Sequence, residues 1–371
     1  MRGTSGIIAL KPSAYFILEG GYSKYKASSC GTSSSITIMS SNQSPTQVTA
    51  SSLQRQIRHV PPSDRPMVDL SHRITDISEQ IFAQGGMSDV YLGTLHRSGF
   101  PNPGTTQGEP VPERVVIKFL RGVPNTEKDR EAIKRRINRE SYVWGNLEHP
   151  NVLQFYGVCR RDKGYNIYGL VAPYCTGHIM TYLLRQPRAD RLELVLGIAR
   201  GLHYLHAHQV VHGDMKPRNV LITQEGIPVI SDFGTSRIVG YKGFTTIATG
   251  YSCRYAPPEV LLWEPPQDTA DKPTAEVSPT ILRSSCDVYS FGMSMLEIVS
   301  GREPFPSKRN EAKIVLAVIE GVRPEPYQHP ETPEVLWRVA AQCWDVKPEN
   351  RPDMGMIIQS LKMFKSSGGV R

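Results

Sequence analysis

The chain has no long apolar run, no closely paired cysteines and almost no acid in its first 60 residues, and each absence removes a class of protein. Without a run of about 18 apolar residues there is no candidate membrane span. Ile7 to Leu10 is too short for a signal-peptide core and is closed by Lys11 and Pro12. The six cysteines, Cys30, Cys159, Cys175, Cys253, Cys286 and Cys343, form no CxxC pair, so neither a disulfide framework nor a zinc site is suggested. A reducing, cytoplasmic setting fits them best. Net charge is +8, yet Arg2, Lys11, Lys24, Lys26, Arg55 and Arg58 against Glu19 alone place +5 of it in the first 60 residues. The rest of the chain is close to balanced, so no nucleic-acid partner is expected.

What is present falls into two parts. From Ser28 to Ser52, 14 of 25 residues are serine or threonine, which leaves little to bury, and residues 1–66 read as a mostly disordered tail. The same basic, hydroxyl-rich composition is that of an organelle transit peptide, although arginines are few. From Ile74 onward, short apolar segments broken by glycine take over, and the hydrophobic content of 39% is that of a globular protein with a sizeable core.

The stretch VVHGDMKPRNVLITQEGIPVISDFG, Val210 to Gly234, concentrates chemistry. Apolar pairs and triplets (Val210-Val211, Val220-Leu221-Ile222, Val229-Ile230) alternate with a polar loop, a Glu225-Gly226 turn and a terminal acid, which reads as loop, strand, turn, strand. Asp214, Lys216, Asn219 and Asp232 would then converge at strand ends. Asp232 and Asn219 offer hard oxygen ligands of the kind magnesium takes, Asp214 can accept a proton from a hydroxyl, and Lys216 can neutralise a moving phosphate. An acidic turn between two core strands is the plainer alternative.

Upstream, Ile81-Phe82-Ala83, Asp89 to Leu92 and Val115 to Phe119 read as strands of one antiparallel sheet, with Gln84-Gly85-Gly86-Met87-Ser88 between the first two. Glycines there let backbone amides approach phosphate oxygens. Residues 97–113, rich in proline and glycine, read as an enlarged surface loop. Lys118 is the lone charge of its strand. Between Thr126 and Leu147, Ile133, Ile137, Trp144 and Leu147 mark one helix face, and Glu140 shares it. A carboxylate on a buried stripe needs a cation, and Lys118 is the evident partner. The opposite face, with Lys128, Arg130, Lys134, Arg135 and Arg139, reads as solvated surface.

HGDMKPRN followed by DFG resembles the catalytic and metal-binding loops of eukaryotic protein kinases. That resemblance spans Ile74 to about Leu361 and implies an α+β, two-lobed protein kinase fold, a small antiparallel-sheet lobe with one helix and a large mainly helical lobe. The domain would cover 74–365, its small lobe 74–172 and its large lobe 176–365. It implies phosphoryl transfer from ATP, with Mg2+, to protein substrates. Lys118, oriented by Glu140, would anchor phosphates; Asp214 and Lys216 would act on the hydroxyl and the phosphoryl group; Asn219 and Asp232 would hold metal.

Ala83, Gly85, Gly86, Ser88 and Val90 would form the glycine-rich loop, with Ala83 and Ser88 standing where glycines are usual. Ala172 falls at the gatekeeper position and implies an open back pocket, and the backbone of Cys175 would meet the adenine. SCRYAPPE, Ser252 to Glu259, resembles the substrate platform, its Glu259 pairing with Arg351, and DVYSFG resembles the core helix, whose Asp287 would hydrogen-bond the catalytic loop. The spacing of His203, His206 and His208 could suit a metal, but no carboxylate or cysteine joins them, and the segment resembles the ordinary approach to a kinase catalytic loop.

Lys216-Pro217 resembles Ser/Thr kinases, and DVYSFG with the C-terminal CW…RP resembles the tyrosine-kinase-like branch. Gly213 replaces an arginine that often receives an activation-loop phosphate, so activity is expected not to depend on phosphorylation of Thr245, Thr246 or Thr249. The rival from another class is a pseudokinase, a nucleotide-binding scaffold that signals by shape, to which the motif departures at Ala83, Ser88, Gly213 and Pro257 would belong. A small-molecule phosphotransferase is disfavoured by SCRYAPPE.

Overall fold

The computed structural model describes residues 35–38, 46–49, 67–84, 88–97, 111–121, 127–161, 167–238, 252–262 and 282–368. The chain divides into two compact units, residues 1–65 and 66–371. In the first, Ser35–Ile38 pairs antiparallel with Thr46–Thr49. Sequence reading assigned this stretch no element, and the alternation of isoleucine, valine and threonine within it is what suits a pleated ribbon.

The second unit begins with a sheet. Ile74–Thr75 (β1), Ala83–Gln84 (β2), Ser88–Arg97 (β3), Val111–Leu120 (β4), Gly157–Arg161 (β5) and Ile167–Pro173 (β6) pair antiparallel in the order β1-β3-β4-β6-β5, with β2 also on β3. Two strands are longer than their apolar centres suggested. Arg97 pairs with Val111 and His96 with Pro112, so ordered backbone continues to the rim of the large loop, whose residues 98–110 lie outside the described part. The first strand expected here is shorter and shifted to Ala83–Gln84, with Ile81 and Phe82 exposed and the Phe82 ring against Tyr174.

Side chains of β4 alternate between two faces, as the pleat requires. Val115, Ile117 and Phe119 point into a cluster with Leu70, Ile74, Leu95, Cys159 and Val171. Val116 and Lys118 belong to the opposite face, in register with Ala172 and Leu170 of β6. That second face is covered by Glu127–Gly145 (α1), which buries Ile137, Glu140, Trp144 and, just beyond its end, Leu147. Lys134 and Arg135 are exposed and Arg139 is half-buried; the side chains of Lys128 and Arg130 lie outside the described part.

The large lobe is mainly helical. Gly177–His178 (β7) leads into Ile179–Arg185 (α2) and Arg191–Ala207 (α3). Asp190 caps α3 by accepting from Glu193 N at 2.9 Å. Gly201 lets α3 press on the 149–153 loop, since a Cβ there would sit 2.6 Å from Asn151 O. Val210–Val211 (β8), Val220–Ile222 (β9), Pro228–Ile230 (β10) and Arg237–Ile238 (β11) follow; β9 pairs with β10 and β7, and β8 with β11. Beyond them lie Pro258–Leu261 (α4), Ser284–Ser300 (α5), Glu311–Ile319 (α6), Glu334–Cys343 (α7) and Met354–Ser366 (α8). Residues 263–281, the proline-rich insertion, lie outside the described part.

Helix α5 is buried from Cys286 to Ile298, Asp287 included, which explains its apolar content on every side. No helix among the described residues is long and apolar enough to cross a membrane, and the five described cysteines are free and buried. The lobe is stitched to its C-terminal helices by Arg351, which meets both oxygens of Glu259 at 2.6 and 3.0 Å and Ser285 O at 2.9 Å. Its side chain is fully buried, while Glu259 keeps partial access to water. Removing the cation would strand the Glu259 carboxylate and the Ser285 carbonyl, so Arg351→Met should lower the unfolding free energy by roughly 3 kcal/mol in urea. A loss below about 1 kcal/mol would assign the pair no structural weight.

Candidate active site

The polar loop between β8 and β9 is held from below. Asp287, at the start of α5, accepts from His212 N at 2.8 Å and Gly213 N at 2.9 Å, and His206 Nε2 lies 3.0 Å from the same carboxylate. Burial alone would raise this acid, but the hydrogen bonds and the neighbouring histidines prevail and hold it below the ordinary carboxylate value. His212 is fully buried; its Nε2 meets Ser231 O at 2.9 Å and its Nδ1 faces Asp214 N at 3.3 Å. That pattern fits a ring protonated at Nε2, which ties the loop to the end of β10.

The reactive groups sit on this frame. A short 3-10 turn, Pro217–Asn219, starts with a proline whose missing N–H costs nothing there. Asn219 Nδ2 donates to Asp214 O at 2.8 Å and Oδ2 at 3.2 Å. Lys216 Nζ donates to Asp214 Oδ2 at 2.6 Å and to Ser252 Oγ at 3.0 Å, joining the loop to the SCRYAPPE segment. Burial raises the Asp214 pKa, and Lys216 only partly offsets it. A carboxylate shifted upward is a better proton acceptor.

Asp232, two residues past β10, lies in the left-handed region, with φ 66°. A non-glycine residue held there stores about 1–3 kcal/mol of strain. Two contacts offset it. Phe233, next in the chain, is buried against Trp144 of α1 and the His212 ring, and Lys118 Nζ donates to Asp232 Oδ1 at 2.7 Å. The same ammonium donates to Glu140 Oε1 at 2.8 Å. Burial would weaken the charge on Lys118, yet its two carboxylate partners raise its pKa above the free value. Lys118 in turn holds Asp232 well below the usual carboxylate range.

These groups open on one cleft of about 630 Å³ between the lobes. Ala83, Ser88, Val90, Lys118, Ala172, Cys175, Lys216, Asn219 and Asp232 all line it, and Glu140 and Asp214 are bonded to lining residues. Gly85 and Gly86 lie outside the described residues, as do Thr245, Thr246 and Thr249. Leu170, Leu153 and Trp144 add an apolar part to the same lining as Ala172. Burial pushes the Cys175 thiol up to about 12, so the cleft cysteine is unreactive.

The donor set fits magnesium. Asp232 contributes carboxylate oxygen, and Asn219, its amide nitrogen engaged by Asp214, leaves its amide oxygen for the cleft. Two such ligands are what this ion takes when waters and phosphate complete its shell. No cluster of three or more His, Cys, Asp or Glu suited to a metal occurs among the described residues. His206 of α3 lies 3.0 Å from Asp287, and His208, just past the helix end, packs against the Tyr204 ring.

Several contributors were missed by sequence reading. The roles of His212 and Ser231 depend on which buried atoms face each other, which no spacing reveals. Tyr255 O–H donates to Glu297 of α5, fixing the SCRYAPPE segment from beneath. Arg218 and Arg185 also reach the cleft; the first stood in plain view inside HGDMKPRN.

A family model described as protein tyrosine and serine/threonine kinase matches residues 77–361. Mitogen-activated protein kinase kinase kinase 12 of Rattus norvegicus is 31% identical over 76% of this chain and 27% of its own length. Serine/threonine-protein kinase STY17 of Arabidopsis thaliana is 27% identical over 68% of this chain and 40% of its own length. Serine/threonine/tyrosine-protein kinase HT1, also of Arabidopsis thaliana, is 26% identical over 76% of this chain and 65% of its own length. The chain therefore spans between about a quarter and two thirds of these curated relatives.

Gly213, the residue before Asp214, takes a left-handed backbone. Its φ is +81°, and a Cβ would sit 3.1 Å from Thr235 O. Gly213→Ala should thus destabilise the protein by about 1–2 kcal/mol in chemical denaturation. An unchanged midpoint would show that the loop relaxes without strain.

Proposed function

As a member of the protein tyrosine and serine/threonine kinase family, matched from residue 77 to 361, this chain carries what we propose to be a working phosphotransferase site: it moves the γ-phosphoryl group of ATP to serine or threonine hydroxyls of protein substrates. The observation that carries this reading is the meeting of two lysine–carboxylate systems in one cleft. Lys118, Glu140 and Asp232 form the first, and Lys216 and Asp214 the second.

Each group has a task. Lys118, fixed by Glu140, receives phosphate oxygens of the nucleotide and keeps its charge throughout. Asp214 orients the acceptor hydroxyl and takes its proton as the oxygen attacks phosphorus and the bond to ADP breaks. Lys216 stands beside that carboxylate and faces the charge that develops on the transferred group. Asn219 and Asp232 would hold Mg2+, which supplies neutralisation of the β- and γ-phosphate oxygens when bound. Protein kinases as a family use ATP with Mg2+.

The backbone near Cys175 would meet the adenine, and the space beyond Ala172, lined by Leu170, Leu153 and Trp144, would stay open behind it as a back pocket. Lys216-Pro217 supports serine or threonine as acceptor, and the bond from Lys216 to Ser252 supports a substrate platform built on residues 252–259. The domain would run over 74–365, its lobes meeting at 173–175. A cytoplasmic setting agrees with the free cysteines. The scaffold reading is disfavoured because Lys118, Glu140, Asp214, Lys216, Asn219 and Asp232 are all retained and joined by short hydrogen bonds.

Transfer of labelled γ-phosphate from Mg-ATP to a generic protein substrate tests this reading. The wild-type chain should transfer label to serine or threonine, shown by phosphoamino-acid analysis, and Asp232→Asn should transfer at least about 100-fold less. Nucleotide-dependent thermal stabilisation without transfer by either protein would favour a binding module.

A further inference from the structure

The cleft carries more cationic charge than the reaction uses. Four lysines and arginines line it, Lys118, Lys216, Arg185 and Arg218, against the single carboxylate of Asp232. Lys118 is held by two carboxylates and Lys216 by Asp214. Neither arginine is paired with a carboxylate among the described residues. Arg218 is exposed, and Arg185, also exposed, makes one long bond, 3.4 Å, to Thr176 O. His178 adds no third charge at neutral pH, because burial and then the field of Arg218 depress its pKa. Glu297 lies within the field of Arg218, but its carboxylate is engaged by Tyr255.

The two arginines also stand on defined elements of the backbone. Arg218 lies between buried Pro217 and buried Asn219, in a turn that Asn219 fastens to Asp214. Its backbone position is therefore fixed relative to the hydroxyl acceptor site, while its side chain faces solvent. The turn packs on α2, whose last residue is Arg185. Three residues separate Asp214 from Arg218, four steps of chain with a reach of at most about 14 Å. An extended substrate bound at Asp214 would pass a side chain over Arg218 within a few residues of its acceptor.

Resting on the phosphotransferase reading above, we propose that Arg218 and Arg185 form an anion-accepting subsite at the mouth of the cleft, which selects protein substrates bearing an anionic side chain, carboxylate or phosphate, a few residues from the acceptor hydroxyl. Guanidinium groups bind both anions through two parallel charge-assisted hydrogen bonds, and such pairs strengthen when a docked peptide excludes water. The same two charges repel basic flanks, so discrimination has an attractive and a repulsive part.

The test uses the full chain and peptides with one serine acceptor, in which a single glutamate, phosphoserine, alanine or lysine is stepped through the four positions on either side. Binding is read by fluorescence anisotropy with Mg2+ and a non-hydrolysable ATP analogue, and transfer by initial rates. At one or more positions, glutamate or phosphoserine should bind about five- to tenfold more tightly than alanine. Arg218→Glu with Arg185→Glu should reverse the order in favour of lysine, acting on peptide KM with the KM for ATP within about twofold. Phosphoserine outranking glutamate would identify a substrate already phosphorylated nearby, and the reverse an acidic one; both support the subsite. Equal binding of all four peptides, a preference that survives charge reversal, or an effect confined to ATP would overturn it. Charge-dependent binding without any transfer would sustain the subsite and count against the phosphotransferase reading instead.

Discussion

One ammonium group holds the cleft in working order. Lys118 comes from the sheet, Glu140 from the helix that covers it, and Asp232 from just past a strand in the other lobe; their bonds of 2.8 and 2.7 Å converge on a single nitrogen. The arrangement is costly to disturb because Glu140 is buried, and its second oxygen has no hydrogen-bond partner among the described residues. With Lys118 gone, that carboxylate would be a buried charge without compensation, a far larger penalty than an exposed pair could ever represent. Asp232 is more accessible to water. In the proposed function it is the partner that could turn to a metal without stranding a charge in the core.

The large lobe contributes rigidity by the same kind of contact. Asp287, from a helix buried from Cys286 to Ile298, accepts backbone N–H groups of His212 and Gly213, so the loop bearing Asp214 is tied to the core of the lobe. A positioned carboxylate is worth more in catalysis than a free one, since reorganisation is completed during folding rather than during reaction. Gly213 fits this scheme through its left-handed backbone. Its φ of +81° is one that glycine adopts without strain, next to the residue that carries the Asp214 carboxylate.

Much of this was legible in the chain. Asp214, Lys216, Asn219 and Asp232 could be found because reactive groups on one loop and one strand end are close in sequence, so spacing constrains geometry. Glu140 was legible for a different reason: a lone acid on an apolar helix face demands a cation, and the nearest solitary lysine was Lys118. The pairing of Glu259 with Arg351 came from motif resemblance alone, since 92 residues separate them. What escaped had no local signature. The Tyr255–Glu297 bond joins a loop to a helix 42 residues away, and His212 acts through a backbone carbonyl that any residue could present. The full length of β3 and β4 was hidden by Pro112 and the polar residues at the loop rim, which register with the partner strand fixes despite their low strand propensity.

In the proposed reaction Lys118 and Glu140 act as one unit toward the nucleotide. A double-mutant cycle of Lys118→Met, Glu140→Gln and the combined variant, read as kcat/KM for ATP, tests that coupling directly. The double variant should lose little more than Lys118→Met alone, with a coupling of about 1–3 kcal/mol between the two sites. Strictly additive losses would mean that Glu140 does not act through Lys118, and would contradict the central role given to this ammonium.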